Sequence, residues 1–324
     1  MLKALGRLWV VVTAVLGSLV LIGIGVIILL VSGSEGPDAS QPVLNQKIVK
    51  NGDENKIAIL RLTGPISDAG DASGFGGPPN SISATRVKKI LRSLADEDQV
   101  KAVVLRINSP GGAVVASDEL YREIVELQKK KVVVVSFGDT AASGGYYIAA
   151  GANKIVANPS TITGSIGVIA QFPKLSGLYD KLGIEMRTIK SGEFKDIGSE
   201  SRDLTDAERQ ILDQIIMTSY DQFVQAIVDG RKMDEAKVRA LADGRIYSGK
   251  QAKELGLVDE LGGLETALQQ AAELAKLENP THVEYSDDNF FQALFGAQAN
   301  RLSLGASLDD VFPTEFGVFY LWSP

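Results

Sequence analysis

Three short segments of this sequence carry residue types able to do chemistry, and each follows an apolar run. The first is Asn108-Ser109-Pro110-Gly111-Gly112. Adjacent glycines let backbone N–H groups face outward at a helix start, where they can hold an anionic oxygen as an oxyanion hole does. Pro-Gly-Gly is equally an ordinary turn. The second is Ala141-Ala142-Ser143-Gly144-Gly145-Tyr146-Tyr147. A serine among small residues at a strand-to-helix turn keeps its hydroxyl uncrowded at the carboxyl edge of a sheet, where open α/β sheets bind ligands. The helix start also favours negative charge nearby, although Ser143 fits just as well as a plain N-cap. The third is Lys190-Ser191-Gly192-Glu193-Phe194-Lys195-Asp196, in which Lys195 reads either as a solvated charge or as a base.

What the chain lacks narrows the choice. There is no cysteine, so thiol nucleophiles, zinc fingers and iron–sulfur clusters are excluded, and the one histidine, His282, lies far in sequence from both glycine loops. A serine hydroxyl is a weak nucleophile and needs a base; where imidazole is missing, a Ser–Lys pair is the known alternative. The lysine must then be neutral, and desolvation lowers a lysine from its ordinary ~10.4 by several units. Phe194 could supply apolar cover, whereas Glu193 and Asp196 must point away from Lys195 for the pair to work. Nothing indicates a metal or an organic cofactor. A net charge of −7 and a pI near 5 argue against a nucleic-acid partner. With 45% hydrophobic and 23% charged residues, the 324-residue chain is not intrinsically disordered.

Those segments need a scaffold. Strands are expected over Lys56–Leu62, Val100–Ile107, Val132–Phe137, Lys154–Ala157 and Glu185–Ile189. Helices are expected over Ser81–Ala95, Ala116–Lys130, Ala142–Ala150, Lys174–Leu182, Asp234–Ala242, Gly249–Leu255 and Leu264–Leu277. A capping-box pattern, Thr205 with Glu208, opens a longer helix to about Val228. Strands too apolar to have a wet face, separated by helices, indicate βαβ crossovers and a largely parallel sheet. A Gly/Pro-rich loop covers Gly70–Asn80.

The termini read differently. Leu8–Val31 is uncharged and rich in Val, Leu and Ile; about 24 residues make a helix of about 36 Å, enough to cross a ~30 Å hydrocarbon core. A cleavable signal peptide has a shorter apolar region. Lys3 and Arg7 precede the span while Glu35 and Asp38 follow it, which places the N-terminus in the cytoplasm and the rest outside. The expected division is residues 1–32 as stub and transmembrane anchor, 33–55 as linker, 56–280 as catalytic domain and 281–324 as an aromatic-rich tail. Three readings of that tail stand: packing on its own domain or a neighbouring subunit, contact with a membrane surface or substrate groove, or disorder.

The three segments in this order resemble the signal peptide peptidase A family, peptidase family S49 of the Clp protease/crotonase superfamily. The resemblance runs from about Ile57 to Leu277 and includes Ala157-Asn158-Pro159, Thr163-Gly164-Ser165-Ile166-Gly167-Val168, Asp243-Gly244-Arg245 and Leu257-Val258-Asp259-Glu260-Leu261-Gly262. It implies a crotonase/Clp protease-like α/β fold with repeated ββα/βαβ units, preceded by the membrane helix, in the short single-domain form. It implies a membrane-anchored serine endopeptidase without cofactors, acting on remnant signal peptides. Ser143 matches the nucleophile, Lys195 the general base and Ser165 a serine that orients the lysine amine. The N–H of Gly111 or Gly112, with that of Gly144, matches the oxyanion hole. Family members assemble into rings, so Ser143 and Lys195 could meet from neighbouring chains. Nothing transfers onto the tail. The rivals are an acyl-CoA hydratase or isomerase on the same fold, a non-catalytic membrane scaffold, and a stomatin-associated protease, which carries further membrane spans.

Overall fold

The computed structural model describes residues 44–67, 81–286 and 319–321. The expected membrane helix over Leu8–Val31, the Gly70–Asn80 loop and most of the tail lie outside the described residues. Among the described residues no helix is long and apolar enough to cross a membrane.

In chain order the strands are β1 (Asn45–Lys50), β2 (Asp53–Thr63), β3 (Ile66–Ser67), β4 (Ile82–Ser83), β5 (Val100–Ser109), β6 (Gly111–Ala113), β7 (Val132–Ala142), β8 (Lys154–Ala157), β9 (Ile162–Gly164), β10 (Ile246–Ser248), β11 (Glu260–Leu261), β12 (Pro280–Ser286) and β13 (Phe319–Leu321). The helices are α1 (Ala84–Asp96), α2 (Val114–Gln128), α3 (Gly144–Ala150), α4 (Ser176–Leu182), α5 (Asp206–Arg231), α6 (Glu235–Leu241), α7 (Gly249–Leu255) and α8 (Leu264–Ala275). The α/β, Clp protease-like architecture expected from the sequence is present.

The main sheet runs β1-β12-β2-β5-β7-β8-β11, parallel from β12 onward, with β1 antiparallel at one edge. Both faces are covered, which is why its strands are continuously apolar. Ala58, Leu60, Val103, Leu105, Val133 and Val135 face the larger core, under α1, α2, α3 and α5. Alternate residues Ile57, Ile59, Ala102, Val104 and Val134 face the other way, against Ala267, Leu268 and Ala271 of α8. Leu105 has no exposed surface, so its truncation to alanine would cost about 2–5 kcal/mol.

β7 is the strand that builds the site. Its first half pairs with β8 through Val134–Ser136, and its second half pairs with β9 through Thr140–Ala142. This extension past Phe137 was hidden by Gly138-Asp139-Thr140, which resembles a turn. The segment works as a strand because Asn108 Oδ1 accepts the Thr140 N–H at 3.0 Å and Thr161 Oγ1 donates to the Gly138 carbonyl at 2.7 Å. β10 pairs antiparallel with β9. A second small sheet, β13-β6-β3-β4, stands beside the carboxyl ends of β5 and β7.

Besides the β7 extension and the unexpected strands β3, β4, β6 and β9–β13, two further segments differ from expectation. Glu185–Ile189, expected as a strand, is not one: its residues are exposed, and among the described residues no strand pairs with it. Conversely, Asn45–Lys50, inside the polar stretch read as linker, forms edge strand β1 because β12 offers it an unpaired side. Thr205 and Glu208 do form the capping box at the start of α5.

Candidate active site

Ser143 stands at the carboxyl end of β7, immediately before α3, with φ 53° and ψ −119°. A non-glycine residue there stores about 1–3 kcal/mol of backbone strain, a cost that clusters at functional turns. The turn is pinned on both sides: the Ser143 N–H donates to the Gly164 carbonyl at 2.8 Å, and its carbonyl accepts the Tyr147 N–H at 2.9 Å. Ser143 occupies the N-cap position of α3 but its side chain caps nothing. Its Oγ is buried, on a residue 1% exposed, and has no hydrogen-bond partner among the described residues. Buried hydroxyls are ordinarily satisfied, so this orphan is the strongest local sign of a reacting group.

The glycine loops close on it. A Cβ at Gly144 would lie 2.7 Å from Ser117 Oγ, 3.1 Å from Gly111 Cα and 3.1 Å from the Gly112 nitrogen. Only glycine lets α3 start this close to β6. Gly111, at φ 106°, donates its N–H to Ser109 Oγ at 3.1 Å. Of the two glycines, that one is already engaged inward.

Ser165 lies one residue beyond β9, 8% exposed, with φ 49°. Because Ala142 pairs with Gly164, Ser143 and Ser165 follow the same rung of two parallel strands. The Asp243-Gly244-Arg245 segment holds this second turn: the Arg245 carbonyl accepts the Ser165 N–H at 2.8 Å, and the Gly244 N–H donates to the Ile166 carbonyl at 3.1 Å. Asp259 has a structural task, accepting the Ile155 N–H at 2.7 Å and pairing with Arg231 at 2.6 Å.

Lys195 is exposed, in a turn closed by its own N–H donating to the Gly192 carbonyl at 3.2 Å. Within one chain it makes no hydrogen bond to the Ser143 hydroxyl. The carboxylate of the neighbouring Asp196 is held by other groups. Its Oδ1 takes Lys190 Nζ at 2.7 Å and Arg202 Nη2 at 2.8 Å, and its Oδ2 takes Arg202 Nε at 3.1 Å. Arg202 continues to buried Glu208 at the α5 capping box, at 2.8 Å from Nη1 to Oε2. These hydrogen bonds hold Asp196 well below the usual carboxylate range and bring Glu208 to about 2 from 4.5. Sequence reasoning missed Arg202; its signal was a basic residue six positions from both Asp196 and Glu208.

His282 sits on β12 opposite Ile57, near the amino end of β2, whereas Ser143 is at the carboxyl end of β7. Burial, then the nearby Lys50, push its imidazole below 6.5. It belongs to the opposite end of the sheet and is no base for Ser143. Among the described residues no cluster of His, Asp or Glu could hold a metal.

Comparison with known proteins identifies the family. The sequence profile of peptidase family S49 matches residues 125–278, and that of Clp protease matches residues 75–163. A protein of Enterococcus faecium provisionally named signal peptide peptidase SppA is 37% identical over 299 residues, covering 87% of this chain and 85% of its own. A provisionally named protease, slr0021, of Synechocystis sp. is 45% identical over 237 residues, 72% of this chain and 79% of its own. Protease 4 of Haemophilus influenzae is 36% identical over 243 residues, 72% of this chain but 38% of its own. With a buried, unpartnered serine on a strained turn and two of these relatives matched over most of their length, the chain belongs to peptidase family S49 and is a serine protease.

Proposed function

We propose that this protease cuts peptide bonds with a Ser143–Lys195 dyad assembled between neighbouring copies of the chain. The observation that carries the reading is the buried, unpartnered Ser143 hydroxyl at a turn packed closely against Gly111 and Gly112. Neutral Lys195 Nζ takes the proton as Ser143 Oγ bonds to the substrate's carbonyl carbon. The oxyanion is held by the N–H groups of Gly112 and Gly144, because Gly111 is already donating to Ser109. Protonated Lys195 then gives its proton to the amine as the C–N bond breaks, and water repeats the sequence on the acyl-enzyme. Ser165, on the rung next to Ser143, accepts from or donates to the lysine amine and fixes its approach.

Exposure of Lys195 in the single chain fits a base delivered to a neighbour. The segment carrying it presents Leu182, Ile184, Met186, Ile189 and Phe194 to solvent, an apolar surface that self-association would cover. That exposed surface is the support for a homo-oligomeric ring as part of the proposal. An N-terminal membrane anchor with an extracytoplasmic catalytic domain, and remnant signal peptides as substrates, complete the proposal. They rest on the apolar Leu8–Val31 run and on the name carried by the Enterococcus relative. The test is turnover of a signal-peptide-derived peptide by the full chain in detergent or vesicles. Turnover that Ser143→Ala and Lys195→Ala each abolish without loss of fold supports the dyad, and activity surviving either change refutes it.

A further inference from the structure

Two buried hydroxyls bracket the glycine loop, and the reaction as written above uses neither. Ser109, the last residue of β5, has no exposed surface, and its Oγ accepts the Gly111 N–H at 3.1 Å. Ser117, near the start of α2, is equally buried, and its Oγ donates to the Ala113 carbonyl at 2.9 Å. β6 is only Gly111–Ala113. One hydroxyl therefore holds the N–H of its first residue and the other holds the C=O of its last. The Ser117 bond is the usual return of a helical serine to the carbonyl four residues back. The Ser109 bond spans Pro110, which has no N–H of its own to offer.

Ser109 stands on rigid surroundings. The preceding Asn108 carbonyl accepts the Gly64 N–H at 3.0 Å, and Asn108 Oδ1 accepts the Thr140 N–H at 3.0 Å. Ser109 itself pairs with Ala141, two residues before Ser143. It also shapes the first turn of α3: a Cβ at Gly145 would lie 2.9 Å from the Ser109 carbonyl oxygen and 3.3 Å from the Ser109 Cβ. One residue thus meets the nucleophile's helix through its backbone and the glycine loop through its hydroxyl.

The loop needs such a hold. Gly111 sits at φ 106° beside a second glycine, and glycine adopts many backbone states at little steric cost. A free pair of glycines could turn either N–H toward a substrate. An oxyanion donor works best when it is oriented before the reaction begins.

We infer that Ser109 is a positioning residue for hydrolysis: its hydroxyl withholds the Gly111 N–H and so fixes the Gly112 N–H as the loop's oxyanion donor. The inference rests on Ser143 as the attacking group and deepens that reading. As the Ser143 Oγ–C bond forms, the carbonyl π pair moves onto oxygen and the Ser143 proton passes to Lys195. Ser109 keeps its own proton and takes no part in the transfer.

The test is Ser109→Ala in the full chain. Its kcat is expected to fall about 10- to 100-fold, with KM and the pH of the rising limb unchanged, because only the transition state loses an aligned donor. A peptide aldehyde adds Ser143 Oγ to its carbonyl carbon and leaves an oxyanion without breaking a further bond; its affinity is expected to fall by the same factor. A plain peptide of the same sequence, bound to the Ser143→Ala background, is expected to show equal affinity with and without Ser109→Ala. Amide exchange at Gly111 should quicken. Ser109→Cys keeps the shape of the side chain but accepts hydrogen bonds weakly. It is expected to show the same pattern with a smaller loss, and it decides the matter if the alanine variant does not fold.

Unchanged kcat overturns the inference. So does a loss shared equally by the aldehyde and the plain peptide, which would be a general loosening of the site. Hydrolysis that survives Ser143→Ala yet falls in Ser109→Ala would remove the Ser–Lys reading and leave the hold on the loop standing.

Discussion

Ser143 and Ser165 leave paired parallel strands at the same rung, one residue beyond the Ala142–Gly164 pair, with φ of 53° and 49°. The two turns are joined by the Ser143 N–H donating to the Gly164 carbonyl at 2.8 Å. Two adjacent non-glycine residues in this region of backbone space are costly. The fold bears that cost at one place, at the carboxyl edge of β7, where the two hydroxyls can serve a single incoming amine.

Strain at Ser143 separates its role in function from its role in stability. Replacing it by glycine, which adopts this backbone freely, is expected to abolish hydrolysis while raising stability by about 1 kcal/mol. Thermal or denaturant unfolding beside a peptidase assay checks both halves. A Ser143→Gly protein that keeps activity, or loses stability, contradicts the assignment.

Ser165 is a positioning residue in this account. Ser165→Ala should lower kcat by about 10- to 100-fold with little change in KM, because only the proton transfer is misaligned. Ser165→Thr, which keeps a hydroxyl, should recover part of the loss. A pure KM effect would place Ser165 in substrate binding instead.

Only an uncharged amine can accept the Ser143 proton. Lys195→Arg, which keeps the positive charge but does not give up its proton near neutrality, should be as inactive as Lys195→Ala. For the parent enzyme kcat/KM should rise with pH through one ionisation. A profile that peaks well below neutral, or an active arginine variant, is incompatible with lysine as the base.

Arg202, with Lys190, pairs with the ionised Asp196 carboxylate, so Arg202→Ala should leave that negative charge less compensated beside Lys195. Activity should fall, and the rising limb of kcat/KM should move to higher pH, because a nearby carboxylate favours the charged amine. Stability gives a second readout. Asp196 and Glu208 have folded values below the ordinary carboxylate range, Glu208 about 2 against 4.5. Their contribution is therefore present above about pH 4.5 and lost as pH falls toward 2. Urea midpoints between pH 5 and pH 2 should show that decline in the parent and a flatter course in Arg202→Ala.

Much of this architecture is legible in the sequence, for physical reasons. Val100–Ile107 is apolar on both faces because helices cover both, and Thr205 with Glu208 marks a helix start through local hydrogen bonds alone. Small residues around Ser143 point to a close turn. Other features depend on partners distant in sequence. Glu185–Ile189 has strand-like residues but no pairing strand among the described residues, whereas polar, exposed Asn45–Lys50 becomes a strand because β12 is beside it. The engagement of the Gly111 N–H by Ser109, the Arg202 clamp and the pairing of Phe319–Leu321 with the glycine loop are likewise tertiary. No periodicity records them.

The most direct test mixes two dead proteins. Ser143→Ala and Lys195→Ala chains, carrying different tags and co-expressed, are isolated as mixed assemblies through both tags in turn. In a symmetric ring with each serine served by the next chain's lysine, random mixing leaves about a quarter of the sites with both groups intact. The account predicts that fraction of parental activity. Mixed assemblies with no activity at all would contradict a site shared between copies.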